Sequence, residues 1–471
     1  MDIENVKKLI RKYLPGHVDF TRRAETAARY YRVQNDILTY TPPACRPIDK
    51  DGMPCPRDPL RQADNRVPHP FYQLLVNQKA AYMFTAPPLF DVKNDDANQK
   101  ITDALGDGYG KKAKDLCASA SNAGIAWVHY WINDDGFQWA VVPSAEVIPV
   151  WSTKLDHALL AVLRVYEDID DDGNAWEVYE YWNEAECQAY RKPKGEDINL
   201  LTPYPCFTGL YGIEDGEAAD TYQHDMEQVP FIPFANNNLL SDDLHTVKSL
   251  IDTYDKTYSG FANDLEDIQE VIFVLTNYGS EDLGKFLKDL KYYKAINMDS
   301  AGVNDKSGVS TLTIDIPVEA REKLLEITRK AIFDMGQGID PQQQGLDATS
   351  GEAMKFLYAL LELKAGLMET EFRLGFNELV RAILRYYGLP AGNIIQTWTR
   401  TSIRNDAELV DMCSKSSGIV SRKTILKNHP FVDNVEDEEK ELEAEDQKQR
   451  ELDDVYNDAD NDSGKGGEGD V

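Results

Sequence analysis

The chain has 471 residues, 42% of them hydrophobic, and carries 81 acidic side chains against 50 basic ones, a formal net charge of −31. That length and apolar fraction allow about three domains with real cores. The charge excludes a tight wrapper of DNA, because neutralising phosphates needs clustered lysine and arginine, so any nucleic-acid contact should be loose or transient.

Six cysteines (Cys45, Cys55, Cys117, Cys187, Cys206, Cys413) are scattered without a CxxC pair, and no histidine stands at metal-ligand spacing. They read as thiols in a reducing compartment. Met1 to Tyr13 is charged and amphipathic rather than signal-like, and no stretch approaches about 18 uninterrupted apolar residues. The expectation is a protein neither secreted by that route nor spanning a membrane.

Residues 1 to about 125 read as mainly helical, with helices over Ile3 to Tyr13, Thr21 to Gln34 and Pro70 to Met83. The proline-rich, charged interval Thr41 to Val67 reads as a surface loop. A further helix from Asn98 to Asn122 must be interrupted at Gly106, Gly108 and Gly110.

From Gly124 the hydrophobic period falls from 3.6 to about 2. Ala126 to Ile132, Phe137 to Val142, Val147 to Trp151, Leu159 to Tyr166, Ala175 to Trp182 and Glu186 to Tyr190 are runs rich in Val, Trp and Tyr, separated by turn sequences such as Asn133-Asp134-Asp135-Gly136. They predict an antiparallel meander. Six of the seven tryptophans lie in it, so one face should be buried against the N-terminal helices or a neighbouring subunit. Asp168, Asp170, Asp172 and Gly173 match the opening of a calcium-binding EF-hand loop, but the twelfth position is Tyr179 instead of a bidentate Glu, and strands flank it. A solvated hairpin turn is the reading preferred over a metal site.

Two charged helices follow. The first, in 241–269, carries Leu244, Val247, Ile251, Tyr254, Tyr258, Phe261, Leu265 and Ile268 at steps of three or four, a packing seam. The second, Val318 to about Met335, offers Leu324, Leu325, Ile327, Ala331 and Ile332 as its partner. Together they predict a helical stalk. Asp242, Asp243, Asp252, Asp255, Asp264, Glu266 and Asp267 should leave the first helix with a largely acidic exposed face. The interval Gly336 to Ser350, rich in Gly and Gln, has no strong core anchor and should be mobile. A proline-free helix from Gly351 to Tyr387, about 55 Å long at roughly 1.5 Å per residue, should pack through Phe356, Leu360, Leu363, Leu367 and Leu374, with Thr349 or Ser350 as its cap. Glu362-Leu363-Lys364 matches half of a nuclease signature, but within a helix it lacks the neighbouring acid that chemistry requires. No GxxxxGK[ST], GxSxG or HExxH motif occurs. The 37 residues beyond Asn434 hold sixteen acids and four bases, and all but their first part should be disordered.

Gln228-Val229-Pro230-Phe231-Ile232-Pro233-Phe234-Ala235-Asn236-Asn237, placed just before the first stalk helix, resembles a segment of the portal proteins of tailed bacteriophages, in particular the family typified by the portal of the Bacillus phage SPP1. Three later stretches agree in order: Thr253 to Leu275, Thr349-Ser350-Gly351-Glu352-Ala353-Met354-Lys355, and Thr399 to Leu409 followed by Gly418 to Thr424. The Cys45 to Asn65 interval and the acidic C-terminus have no counterpart in that pattern.

The resemblance implies a mainly helical α+β portal fold. Its parts would be a wing (1–240, with the long helix and a strand in 351–400), a stem (241–269 and 317–335), a clip (270–316), a tunnel loop (336–350), a crown (401–440) and an acidic tail (441–471). It implies a ring of twelve subunits at one capsid vertex of the virion, assembled in the host cytoplasm, through which double-stranded DNA is packaged and later ejected. Implied partners are the terminase large subunit, which supplies the ATPase, a head-completion or adaptor protein, scaffold and major capsid protein, with DNA held weakly and no membrane. No cofactor and no catalysis are implied. On this reading Gln337, Asp340, Gln342, Gln343 and Gln344 of the tunnel loop narrow the channel. Lys285, Lys288, Lys291 and Lys294 of the clip, with Arg321, Lys323, Arg329 and Lys330 of the second stem helix, either face DNA or make intersubunit salt bridges. An acidic wall would repel phosphates and keep DNA from adhering. The alternative from a different class is an acidic metal-binding module or metal-dependent enzyme.

Overall fold

The computed structural model describes residues 2–40, 63–207, 218–267 apart from 225, 272–276, 308–312, 317–342, 351–400 and 406–448 apart from 433–434, 436–437 and 446. In chain order the helices and strands are α1 (Ile3–Tyr31), α2 (Phe71–Met83), β1 (Leu89–Asp91), α3 (Asp95–Leu105), α4 (Tyr109–Ala123), β2 (Ile125–Asn133), β3 (Gly136–Val142), β4 (Val147–Trp151), β5 (Leu159–Ile169), β6 (Ala175–Trp182), β7 (Glu186–Pro193), β8 (Thr202–Pro203), β9 (Thr221–Gln223) and β10 (Phe231–Ala235). There follow α5 (Lys248–Asp267), β11 (Ile272–Thr276), β12 (Gly308–Leu312), α6 (Val318–Gly336), α7 (Gly351–Tyr386), β13 (Ile395–Thr397), α8 (Asp406–Lys415) and α9 (Arg422–Asn428). The fold is mainly helical α+β.

The first 34 residues do not make two helices as their patterning predicts: α1 runs through Pro15 without a break. A proline inside a helix removes one hydrogen bond and costs about 3 kcal/mol. Packing at both ends outweighs that loss. Val6 and Ile10 are buried against Ile148, Ala161, Leu163 and Tyr179 of the larger sheet, while Ala27 and Tyr30 are buried against Tyr72, Leu75 and Val76 of α2. Full burial of Val6 and Ile10 alone recovers about 3 kcal/mol or more.

The expected single meander is two sheets. Strands β4 to β8 form one antiparallel sheet, in which β9 also pairs with β7, and β2 and β3 belong to another in which β2 pairs with β10 on its far side. The break falls at Pro143, which lacks an amide hydrogen, and at the single 3-10 turn Ser144–Glu146 that follows. The pairing of β2 with β10, from Phe231 opposite His129 to Ala235 opposite Ile125, joins segments about a hundred residues apart. Trp127 and Trp182 are buried between the two sheets with Phe207 and Phe231. The β5–β6 turn is a self-contained hairpin: Asp170 accepts the backbone N–H groups of Asp172 and Asn174 and the indole N–H of Trp176. That hydrogen bonding, Trp176 first, holds its carboxyl down at about 2.

Helix α7 has 36 residues, and where its side chains are described it does not bury the leucines that its spacing suggests. The face on the core is Ala365, Met368, Phe372, Phe376, Leu379, Val380 and Ile383, set against α4, β2 and β10, and Leu361 is buried as well. Leu360, Leu363, Leu367 and Leu374 are 41–61% exposed. The helix is apolar on two sides, and the side carrying Phe372 and Phe376 wins because those rings interlock with Phe234 at centroid distances of 5.2 and 5.0 Å. The side chain of Phe356, and the cap positions Thr349 and Ser350, lie outside the described residues.

The described residues within 342–359 and 401–448 belong to a second unit. Within it Ser421 caps α9 by accepting the N–H of Thr424, and Cys413 and Leu426 are buried. The acidic segment is helical at residues 438–445.

Candidate functional site

Helices α5 and α6 pack side by side as the sequence predicts. Arg321 of α6 ion-pairs with Asp264 of α5 and lies over Phe261 at 5.4 Å. The seam of α5 is buried only in its first half. Leu244, Val247 and Ile251 are within 3% of full burial against α2, Ile332 and Phe333, and Tyr254 packs beside them. Leu244 and Val247 lie in a turn that precedes α5, because Asp242 ties back the N–H of His245. Phe261 is half-buried, and Tyr258 and Leu265 are 40% and 48% exposed, as are Leu324 and Ile327 of α6 at 45% and 56%.

The predicted acidic outer face is largely engaged in holding the fold. Asp255 is fully buried and accepts the Nδ1 and backbone N–H groups of His69 and the amide of Asn35 at 2.6 Å. Asp252 pairs with Lys248 at 2.8 Å and accepts the Tyr30 hydroxyl. Asp267 takes the Ala63 N–H and Glu266 the Asn65 amide. The first stalk helix is therefore bound by its acids to the end of α1 and to described residues between α1 and α2, a role that residue spacing alone could not separate from solvation.

Where the stalk meets the remaining helices, a buried charge cluster gathers four segments. Asp243 accepts from Lys79 of α2 at 2.6 Å, from Lys364 of α7 at 3.2 Å and from the Asn236 amide at 2.9 Å. Burial would raise its carboxyl, but Lys364 and Lys79 outweigh that and hold it well below the usual range. Burial likewise lowers the Lys364 ammonium. Lys364 also donates to the Gly336 carbonyl at 2.9 Å, joining the end of α6 to the cluster. Sequence reasoning passed over Lys79. Its signal was a lysine between Val76, Ala80 and Met83 on the apolar side of a short helix, which demands a buried carboxylate. The nuclease-like tripeptide comes apart: Glu362 pairs with Arg400 and accepts the Tyr82 hydroxyl, whereas Lys364 serves Asp243.

The interval after α6 starts anchored, contrary to its composition. Gln337 is left-handed at φ 55°, and Gly338 donates to the Phe333 carbonyl at 3.0 Å. Both backbone groups of Ile339 pair with the Gln78 carboxamide, at 2.7 and 3.0 Å. Asp340 is gripped by Arg329 through two hydrogen bonds of 2.7 and 2.9 Å. A Cβ at Gly336 or Gly338 would stand 2.5 or 2.3 Å from the Leu75 side chain, so any other residue at either position would force Leu75 to move. Arg329 is thus a partner of Asp340, Phe71 and Phe333, while Lys330 is exposed. Gln342 is exposed; Gln343, Gln344, Lys285, Lys288, Lys291 and Lys294 lie outside the described residues. Of the interval between the stalk helices, the described part is the antiparallel pair β11–β12.

The sequence matches the family described as phage portal protein, SPP1 Gp6-like, over residues 10–452. The chain belongs to the phage portal protein family. It is 39% identical over 461 residues to the portal protein of Clostridium phage phiCD119, covering 93% of this chain and 95% of that relative. It is 29% identical over 465 residues to the portal protein of Bacillus phage SPP1, covering 94% and 86%. Among solved structures it is similar to the neck of an empty gene transfer agent particle, with a TM-score of 0.43 and 10% identity over 76% of this chain and 88% of that one. It is also similar to a chain of a native gene transfer agent virion, with a TM-score of 0.40 and 11% identity over the same shares. Among the described residues no group of three or more His, Cys, Asp or Glu side chains could hold a metal ion, and no helix is long and apolar enough to cross a membrane.

Proposed function

We propose that this portal-family chain assembles into a closed ring, of twelve copies as the family resemblance implies, at one vertex of a phage capsid, and that DNA enters and leaves through its central channel. The observation that carries the reading is the family match, which spans 10–452 and so includes both stalk helices, the segment between them and the long helix. The wing, stem, clip, tunnel-loop and crown boundaries given above are the working division. In this division α5 and α6 are the stem, the interval after α6 leads into the channel, and α8 and α9 belong to the crown. A terminase would supply the ATPase at the clip, a head-completion or adaptor protein would dock after packaging, and scaffold and major capsid protein would surround the wing. The chain itself catalyses nothing on this reading.

The extreme acidity is compatible with a conduit, since a net charge of −31 on each copy disfavours DNA adhesion. Sedimentation of the purified protein tests the assembly: a closed oligomer many times the 53.2 kDa chain supports it. Monomers that persist at high concentration with capsid proteins present would overturn it.

A further inference from the structure

We infer that Gln78 of α2 and Arg329 of α6 are positioning residues for the channel loop, and that Gly336–Asp340 is a fixed part of the wing–stem junction. The inference rests on the channel reading proposed above and adds to it where the loop begins and what aims it.

Gly336, Gly338, Ile339 and Asp340 are each held, and by three different helices. Lys364 of α7 holds the Gly336 carbonyl and the Phe333 carbonyl of α6 holds the Gly338 N–H. Gln78 of α2 holds Ile339 at both its donor and its acceptor, and Arg329 of α6 holds Asp340 at both carboxylate oxygens. Leu75, one turn before Gln78, fills the space beside Gly336 and Gly338, so the segment lies directly on α2. The Gln78 carboxamide satisfies both backbone groups of one residue, as a neighbouring strand would. It fixes the orientation of the peptide as well as its distance. The bidentate guanidinium–carboxylate pair then fixes the next residue in a plane. Side chains that met Asp340 only as an exposed acid would leave it free to rotate. Here it is 17% exposed and its guanidinium partner 24%.

The channel loop of the proposed function therefore starts after Asp340 and not at Gly336, and the direction in which the chain enters the channel is set by a wing helix. A change in the position of α2 carries Ile339 with it.

Hydrogen–deuterium exchange on the assembled full-length protein tests this. In the unaltered protein the amides of Gly338 and Ile339 should exchange as slowly as those of neighbouring α6. Gln78→Leu, close in volume, removes both bonds to Ile339 and should speed exchange across 337–340 about tenfold or more, with the amides around Ile332 and the melting temperature nearly unchanged. Gln78→Glu keeps the acceptor for the Ile339 N–H and should fall between the two. Fast exchange at 337–340 in the unaltered protein, or exchange unchanged in both variants, would overturn the inference. A photo-crosslinker at Gln342 in DNA-filled particles addresses the underlying reading separately. Its failure to capture DNA would remove the channel role while leaving the exchange result standing.

Discussion

Arg329 and Asp340, eleven residues apart across the end of α6, form a bidentate ion pair with hydrogen bonds of 2.7 and 2.9 Å, packed under Phe71 and Phe333. A cation that spacing offers as a contact for DNA is thereby committed to the loop root. Hydrogen bonding to Asp340 raises the Arg329 pKa further, so the guanidinium is charged at every accessible pH. Asp340→Asn should destabilise the protein by about 1–2 kcal/mol, while Lys330→Ala on the same helix should change stability by less than about 0.5 kcal/mol. Urea titrations of the two variants check the contrast. Equal effects would mean the pair contributes nothing.

The Asp243 cluster should be the most sensitive polar site described. Asp243→Ala leaves Lys79 and Lys364 buried without their carboxylate, and loss of one partner from such a cluster costs about 3–5 kcal/mol. Unfolding in denaturant measures it, and a loss below about 1 kcal/mol would show that water reaches the lysines.

The same carboxyl predicts an acid dependence. Its folded-state pKa lies below its value in the unfolded chain, so its contribution is complete above the unfolded carboxylate range and fades as pH falls through the folded one. Stability should therefore decline below about pH 4. Asp243→Asn should flatten that decline, because the titrating group is gone. An unaltered slope in the variant would assign the acid sensitivity to other carboxylates.

Asp255→Ala strips partners from three donors, on His69 and Asn35, at a fully buried position. The expected loss is about 2–4 kcal/mol, with increased proteolysis at residues 63–70. Protection unchanged there would show that these residues are held by other contacts.

The two faces of α7 separate packing from exposure. Phe372→Ala, in the core between α4 and β10, should cost about 3–5 kcal/mol. Leu363→Ala and Leu367→Ala, at more than half exposure, should cost less than about 0.5 kcal/mol in the dissociated chain. A large loss from either leucine would place the buried stripe where the sequence pattern first suggests it.

These contrasts mark what sequence pattern can reach. Strands β2 to β7 are legible to within three residues at every end, and β4 and β6 at both ends without error, because alternation and Asp-Gly turns are local signals. The break at Pro143 and the pairing of β2 with β10 are not, since register between distant segments leaves no local trace. Helices α5 and α6 are legible as a pair. Which acids of α5 face solvent is not, because Asp255 and Glu266 look alike until Asn35 and His69 are placed beside one of them. Gly336 to Asp340 mislead for a physical reason. Glycine spacing reads as freedom, yet here it records the close approach of Leu75. The family resemblance rests on ordered motifs and survives each of these local corrections.

On the proposed reading this portal-family chain forms a ring whose channel is entered by the segment that follows Asp340, four residues beyond the end of α6. Cryo-electron microscopy of the assembled protein tests it most directly. The account predicts a closed ring, with Gly336–Asp340 seated on Leu75 and Gln78 as described and Gln342 directed to the lumen. An open or absent ring, or a lumen lined by other elements with Gln342 on the outer surface, would contradict it.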